Sequence, residues 1–156
     1  MKTYKKLITY FTSIPYLLGL LGLVPFIYFS FIDSYFAIFN IEDRLTFIIT
    51  YAAIILSFLG GIHWGIGMLK RSHTDPSVES KLRFFISVIP SILGWVSLFL
   101  YEYHAIILLT LSFILILLYD FISFRLNNFF QWYLFLRIIL TFIVIISLLN
   151  IYHDAI

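Results

Sequence analysis

Long apolar runs separated by short polar stretches organise this chain. Five runs approach the about 20 mostly apolar residues that a membrane-crossing helix needs: Ile14–Ile32, Leu45–Leu69, Leu82–Leu100, His104–Phe124 and Trp132–Asn150. Closed β-barrels are the other structure that can span a bilayer. Their strands alternate apolar and polar residues over about 10 positions. Stretches such as "IILLTLSFILILL" do not alternate. The pattern therefore predicts one all-α integral membrane domain over residues 1–156, a bundle of five transmembrane helices.

The connections it predicts are short. "DSYFAIFNIEDR" joins the first and second helices, "KRSHTDPSVESK" the second and third, "YEY" the third and fourth, and "RLNNFFQ" the last two. Asp75-Pro76-Ser77 supplies a turn signal in the second of these. The Lys-rich start could head a secretion signal. However, the first apolar run is longer than the usual 7–15 residues and no A-x-A-like site follows. The run is expected to stay as a helix.

Composition narrows the reading further. Charged residues make up 12% and hydrophobic ones 62%, against about 25% and about 45–50% in soluble domains. The absence of cysteine removes disulfides, thiol nucleophiles and Cys-based metal sites. A net charge of +2 gives no footing for nucleic acid. Charge placement sets an orientation through the positive-inside rule. Lys2, Lys5, Lys6, Lys70, Arg71, Lys81, Arg83 and Arg125 fall on one side if five helices alternate, while the other side's loops carry Arg44 with Asp33, Glu42, Asp43 and Glu102. The expected topology has a cytoplasmic N-terminus (matrix, in a mitochondrion) and an external C-terminus. The expected membrane is the bacterial inner membrane, or the mitochondrial inner membrane for a eukaryotic source.

Small residues mark where helices would meet. In lipid, close backbone approach supplies van der Waals contact that burial alone cannot. Ser57, Gly61 and Gly65 recur every fourth residue in the second helix, with Thr46, Thr50, Ala53 and Gly60 on or beside the same stripe and Phe58, Leu59, Ile62, Ile66 and Leu69 on the opposite arc. This stripe is expected to face neighbouring helices. Matching faces are Pro15, Gly19 and Gly22 in the first helix and Ser87, Pro90, Ser91, Gly94 and Ser97 in the third. Pro90 should kink its helix. The fourth and fifth helices, being bulkier, are expected outside.

Three ionisable residues share one depth. Counting 1.5 Å per residue, His63, Asp120 and Arg137 all lie roughly 6–9 Å inside the cytoplasmic end. Such groups are costly in lipid and are usually paired or functional. Asp120 and Arg137 stand on consecutive antiparallel helices, within reach of an ion pair. The plain alternative is a structural staple, or an Arg137 side chain snorkelling to the headgroups. His63 shares an arc with Gly60 and Gly67 and should point into the bundle. Its imidazole, titrating near about pH 6.5, can handle protons or simply bond a neighbour. Trp64 and Trp132, with Tyr101, Tyr103 and Tyr133, read as interface anchors, and Trp95 as a packed residue. His73, His104 and His153 stand apart from His63, so neither a metal nor a cofactor is expected. Phosphate loops, nucleophile elbows and zinc-protease motifs are absent.

The landmarks "PYLLGLLGLVPF", "YAAIILSFLGGIHWG", "IPSILGW" and "WYLFLRIILT" resemble the DUF3429 family of membrane proteins, which has bacterial members and includes the mitochondrial transmembrane protein 69. The matching residues are Gly60, Gly61, His63, Trp64, Gly65, Pro90, Trp95 and Arg137. The resemblance implies a small multi-pass inner-membrane protein and no particular activity. Three functions are compatible with the residues. The first is a structural or accessory protein whose partners are the lipid bilayer and other membrane proteins. The second is a small transporter or proton conductor using His63, Asp120 and Arg137. The third is a membrane enzyme with His63 as its acid–base group. A wet cavity around His63 would favour the latter two, and dry packing the first.

Overall fold

A computed structural model describes residues 14–69, 78–124 and 131–155. The Lys2, Lys5 and Lys6 cluster, the Asp75-Pro76-Ser77 turn signal and the connection 125–130 lie outside the described residues. All regular structure among the described residues is helical. It comprises α1 (Ile14–Phe36), α2 (Ile41–Leu69), α3 (Val78–Ser97), α4 (Glu102–Phe124) and α5 (Gln131–Asp154). Among the described residues α1, α2, α4 and α5 are long and apolar enough to cross a membrane. The third helix does not reach that standard: Lys81, Arg83, Ser87, Ser91 and Ser97 lower its apolarity.

Several boundaries move relative to the apolar runs. Asn40 caps α2, its Oδ1 accepting the Asp43 N–H at 2.8 Å. The helix therefore starts at Ile41 and draws Arg44 into its first turns. At the other end of the chain α5 continues through Asp154, past the polar residues that close the apolar run. Asp33–Phe36 is the last turn of α1 and not a loop. Arg83 lies within α3, 4% exposed.

The first helix is irregular in two places. It breaks at Gly22–Leu23, before Val24–Ile27 resumes. Pro25 has no N–H to continue the ladder, and the Gly22 carbonyl accepts the Tyr51 hydroxyl at 3.0 Å. Tyr28–Ile32 then forms a π-helical turn. The helix ends at Ala37, whose φ of 48° is left-handed.

The buried residues of α2 follow a heptad: Leu45, Ile49, Ala52, Leu56, Leu59, His63 and Ile66 alternate steps of four and three. Ala53, Gly60 and Gly67 flank that seam seven residues apart and meet α3. A Cβ on Gly60 would collide with the Ser87 carbonyl oxygen, and one on Gly94 would stand 2.9 Å from the Ala53 oxygen. Buried Arg83, Ser87, Pro90, Gly94 and Ser97 repeat the four–three spacing on α3. A Cβ on Gly61 or Gly65 would meet no described residue within 4 Å. Of the expected contact stripe, Ala53 and Gly60 do meet α3, but Gly61 and Gly65 do not, and the line continues to Gly67 instead. Steps of four drift around a helix whose neighbours pack at a 3.5-residue period. Leu59 and Ile66, expected toward lipid, are buried.

The fourth helix is central, not peripheral. Ala105, Ile106, Leu109, Phe113 and Ile116 of α4 join the main apolar core, with Val144, Leu148 and Ile151 of α5. Trp64 is 45% exposed against Phe84, and Trp95 is 61% exposed against Phe99. Trp95 is therefore an outward-facing ring and not the packed residue expected.

Candidate functional site

At one end of the bundle α2, α4 and α5 converge on a single carboxylate. The Nε2–H of His63 donates to Asp120 Oδ1 at 2.7 Å, and Arg137 Nε donates to Asp120 Oδ2 at 2.9 Å. Their side chains are 0%, 1% and 5% exposed respectively. Helix geometry makes this possible. His63 is on the buried heptad seam of α2, Asp120 continues the buried line Ile116–Asp120–Phe124 of α4, and Arg137 lies on the facing side of α5.

Aromatic rings seal the contact. The His63 ring lies parallel to Phe124, 5.6 Å away at 4°, and Tyr119 meets it edge-on at 4.6 Å. The Arg83 guanidinium carbon stands 5.7 Å from the Phe124 centroid, a cation–π arrangement. One carboxylate between an imidazole and a guanidinium, in surroundings without water access, holds three helices together. Charge-assisted hydrogen bonds of this kind are roughly twice as strong as neutral ones. Removing a single partner leaves a buried charge that costs about 3–5 kcal/mol.

Two polar nitrogens here are not used up. Arg137 Nη2 and His63 Nδ1 are buried and have no hydrogen-bond partner among the described residues. Beside Arg137 lies a cavity of about 440 Å³ between α1, α2 and α5, with Phe113 of α4 also on its wall. Arg137 and Thr141 are on its wall; His63 and Asp120 are not.

The opposite end carries a second polar cluster. Arg44, 7% exposed, donates through Nε to the Phe29 carbonyl at 2.9 Å and through Nη2 to Asp154 at 3.1 Å. Asp33, fully buried, lies 3.6 Å from Arg44 Nε and accepts the Phe39 N–H. The Ser30 carbonyl accepts from Asn150 Nδ2 at 2.8 Å, and the Ser30 hydroxyl donates to the Ser147 carbonyl at 2.8 Å. Phe29 and Ser30 belong to the π turn, where widened geometry is common near functional sites. Counting charges along loops misses this cluster, because Arg44, Asp33 and Asp154 read as solvated ends. The Asn40–Asp43 capping signal is what would have revealed Arg44 inside a helix.

The structure therefore brings His63, Asp120 and Arg137 together and adds Arg83 at the edge. It puts Gly60, Pro90 and Gly94 at the α2–α3 contact, and leaves Ser57, Gly61, Gly65, Trp64 and Trp95 away from both polar clusters. Among the described residues no three His, Cys, Asp or Glu side chains are grouped to hold a metal ion.

Comparison with known proteins agrees with the architecture. The chain is 30% identical over 135 residues to Transmembrane protein 69 of Xenopus tropicalis, covering 85% of this chain and 51% of that protein. It thus spans about half the length of the curated relative it matches. No solved structure matches. Residues 11–152 match the model of a protein family of unknown function, DUF3429. With apolar spanning helices and a match along most of its length, this chain is a multi-pass membrane protein and belongs to the DUF3429 family.

Proposed function

We propose that this protein is a non-catalytic, multi-pass component of a bacterial inner membrane, or of a mitochondrial inner membrane if its source is eukaryotic, and that it serves as a structural or accessory subunit beside other membrane proteins. The observation that carries this reading is the closed environment of His63. The ring is 0% exposed, its Nε2 is bonded to Asp120, and Phe124 and Tyr119 cover its faces. A proton relay needs a wet path or a chain of exchangeable groups, and the cavity wall does not include His63. A staple needs only closure.

Two measurements test it. In proteoliposomes, proton flux should match empty vesicles at both acidic and neutral pH, and His63→Gln should change nothing. Flux above background that His63→Gln abolishes would establish the transporter reading instead. In mild detergent the full chain should co-purify with a membrane partner at fixed stoichiometry; a chain that elutes alone from its native membrane would count against an accessory role.

The finer topology follows the same proposal: five crossings, N-terminus cytoplasmic. Support comes from α3 packing on α2 at Gly67–Phe84, Gly60–Ser87 and Ala53–Gly94 and from its 20 residues, about 30 Å at the helical rise, the thickness of the hydrocarbon core. That length suits a crossing despite the modest apolarity of α3. A reporter active only outside the cytoplasm should be active after Ile156 and silent within 74–77. Activity within 74–77, or silence after Ile156, would overturn the five-crossing arrangement.

A further inference from the structure

The cavity between α1, α2 and α5 is apolar almost throughout. It runs from Ile14 and Trp132 to Phe26 and Val144. Along α5, from residue 132 to residue 144, that is about 18 Å at 1.5 Å per residue. Such a space is long and narrow. Its volume of about 440 Å³ falls within the range of small-molecule sites. On the α1 side the wall is one helix thick, since Ile14 and Leu18 line the cavity and are also 71% and 61% exposed.

Two polar side chains interrupt this wall, and they stand one helical turn apart on α5. Arg137 is 4% exposed and Thr141 is 1% exposed. Arg137 Nη2 and Thr141 Oγ1 are buried and have no hydrogen-bond partner among the described residues. Both residues belong to the cavity wall. A guanidinium only donates, and a hydroxyl can donate. The chemistry that completes this pair is one acceptor oxygen on an otherwise apolar, elongated body.

The charge of that acceptor follows from Asp120. Arg137 Nε is already committed to its carboxylate at 2.9 Å. A second carboxylate would crowd two negative charges around one guanidinium, whereas a neutral carbonyl would not. A quinone fits poorly, because its second carbonyl would face apolar side chains on the far side of the ring. We propose that the cavity binds one esterified long-chain acyl lipid, its carbonyl oxygen accepting from Arg137 and Thr141 and its chain lying between α1 and α5. The site is independent of whether the protein is an accessory subunit or a transporter.

Trp132 lines the cavity, so a bromine-bearing chain bound there quenches its fluorescence. The probe is dibrominated methyl stearate, titrated into the full chain in detergent on a Trp64→Phe, Trp95→Phe background. Quenching should saturate at one probe per protein. Thr141→Val should weaken the saturable phase about fivefold, the loss of one ordinary hydrogen bond. Ile55→Phe fills the cavity away from the His63 contacts and should abolish that phase while circular dichroism stays helical. The unbrominated ester should displace the probe, and the free acid should do so less well. Quenching that rises linearly and equally in every variant would reduce the effect to partitioning into detergent and overturn the proposal. An unchanged affinity in Thr141→Val would overturn it as well, as would displacement by a benzoquinone but not by methyl stearate.

Discussion

The two ends of this bundle solve the same problem with different materials. At the His63 end, side chains from three helices satisfy one another around the Asp120 carboxylate, and rings exclude water. At the Arg44 end, side chains reach into backbone: the Phe29 and Ser30 carbonyls of the π turn take donors from Arg44 and Asn150, and Asp154 completes the cluster with a side chain 29% exposed. The first arrangement is stiff and depends on every member. The second is distributed, half wet, and tolerant. What separates them is how many alternative partners each group keeps after one is lost.

That difference can be attacked directly. The largest effect is expected from Asp120→Asn, which strands the Arg137 charge and leaves one acceptor oxygen for the two donors of His63 and Arg137. Thermal unfolding in detergent should show a loss of about 3–5 kcal/mol. Pairing it with Arg137→Gln should recover part of that loss, and simple additivity would mean that the two do not share one contact. Next comes a lesion without charge. Gly60→Leu drives a side chain into the Ser87 backbone and should cost about 1–3 kcal/mol or more. Gly61→Leu, with no described neighbour, should stay within about 0.5 kcal/mol. If Gly61→Leu proves the more harmful, the heptad register of α2 is wrong.

Arg44→Lys, which keeps a cation beside Asp33 but loses the guanidinium contacts, should fall below Asp120→Asn, at about 1–3 kcal/mol. Asp33 keeps the Phe39 N–H and the Ser30 carbonyl keeps Asn150. A loss equal to that of Asp120→Asn would erase the contrast between the ends. The smallest change is expected for Asp154→Asn, about 0–1 kcal/mol and fading with added salt, because its carboxylate is partly solvated. A melting series in increasing salt checks it.

Much of the architecture can be read from sequence because lipid imposes a simple rule: backbone groups must be satisfied within the helix, so apolar run length reports helix length. The positions of His63, Asp120 and Arg137 along antiparallel helices fix their depth by counting alone. Facing is harder. A stripe at spacing four and a seam at spacing 3.5 coincide over one turn and diverge over three, and Gly60 and Gly61 are adjacent in sequence yet differ wholly in surroundings. The Arg44 end was hidden for another reason. Its acceptors are carbonyls released by an irregular turn, and every residue has a carbonyl, so residue type carries no signal.

The π turn of α1 also bears on how the protein is made. α1 is translated long before α5, yet the polar groups of its wide turn lean on Ser147 and Asn150 near the far end of α5. Gly19 and Tyr16 contact Leu140 and Trp132 of the same helix. The wide turn of α1 therefore stays incomplete until α5 is in place. Until α5 is inserted, the Ser30 carbonyl lacks its Asn150 donor and the Ser30 hydroxyl lacks the Ser147 carbonyl. α5 thus locks α1 across nearly the whole span of the described residues.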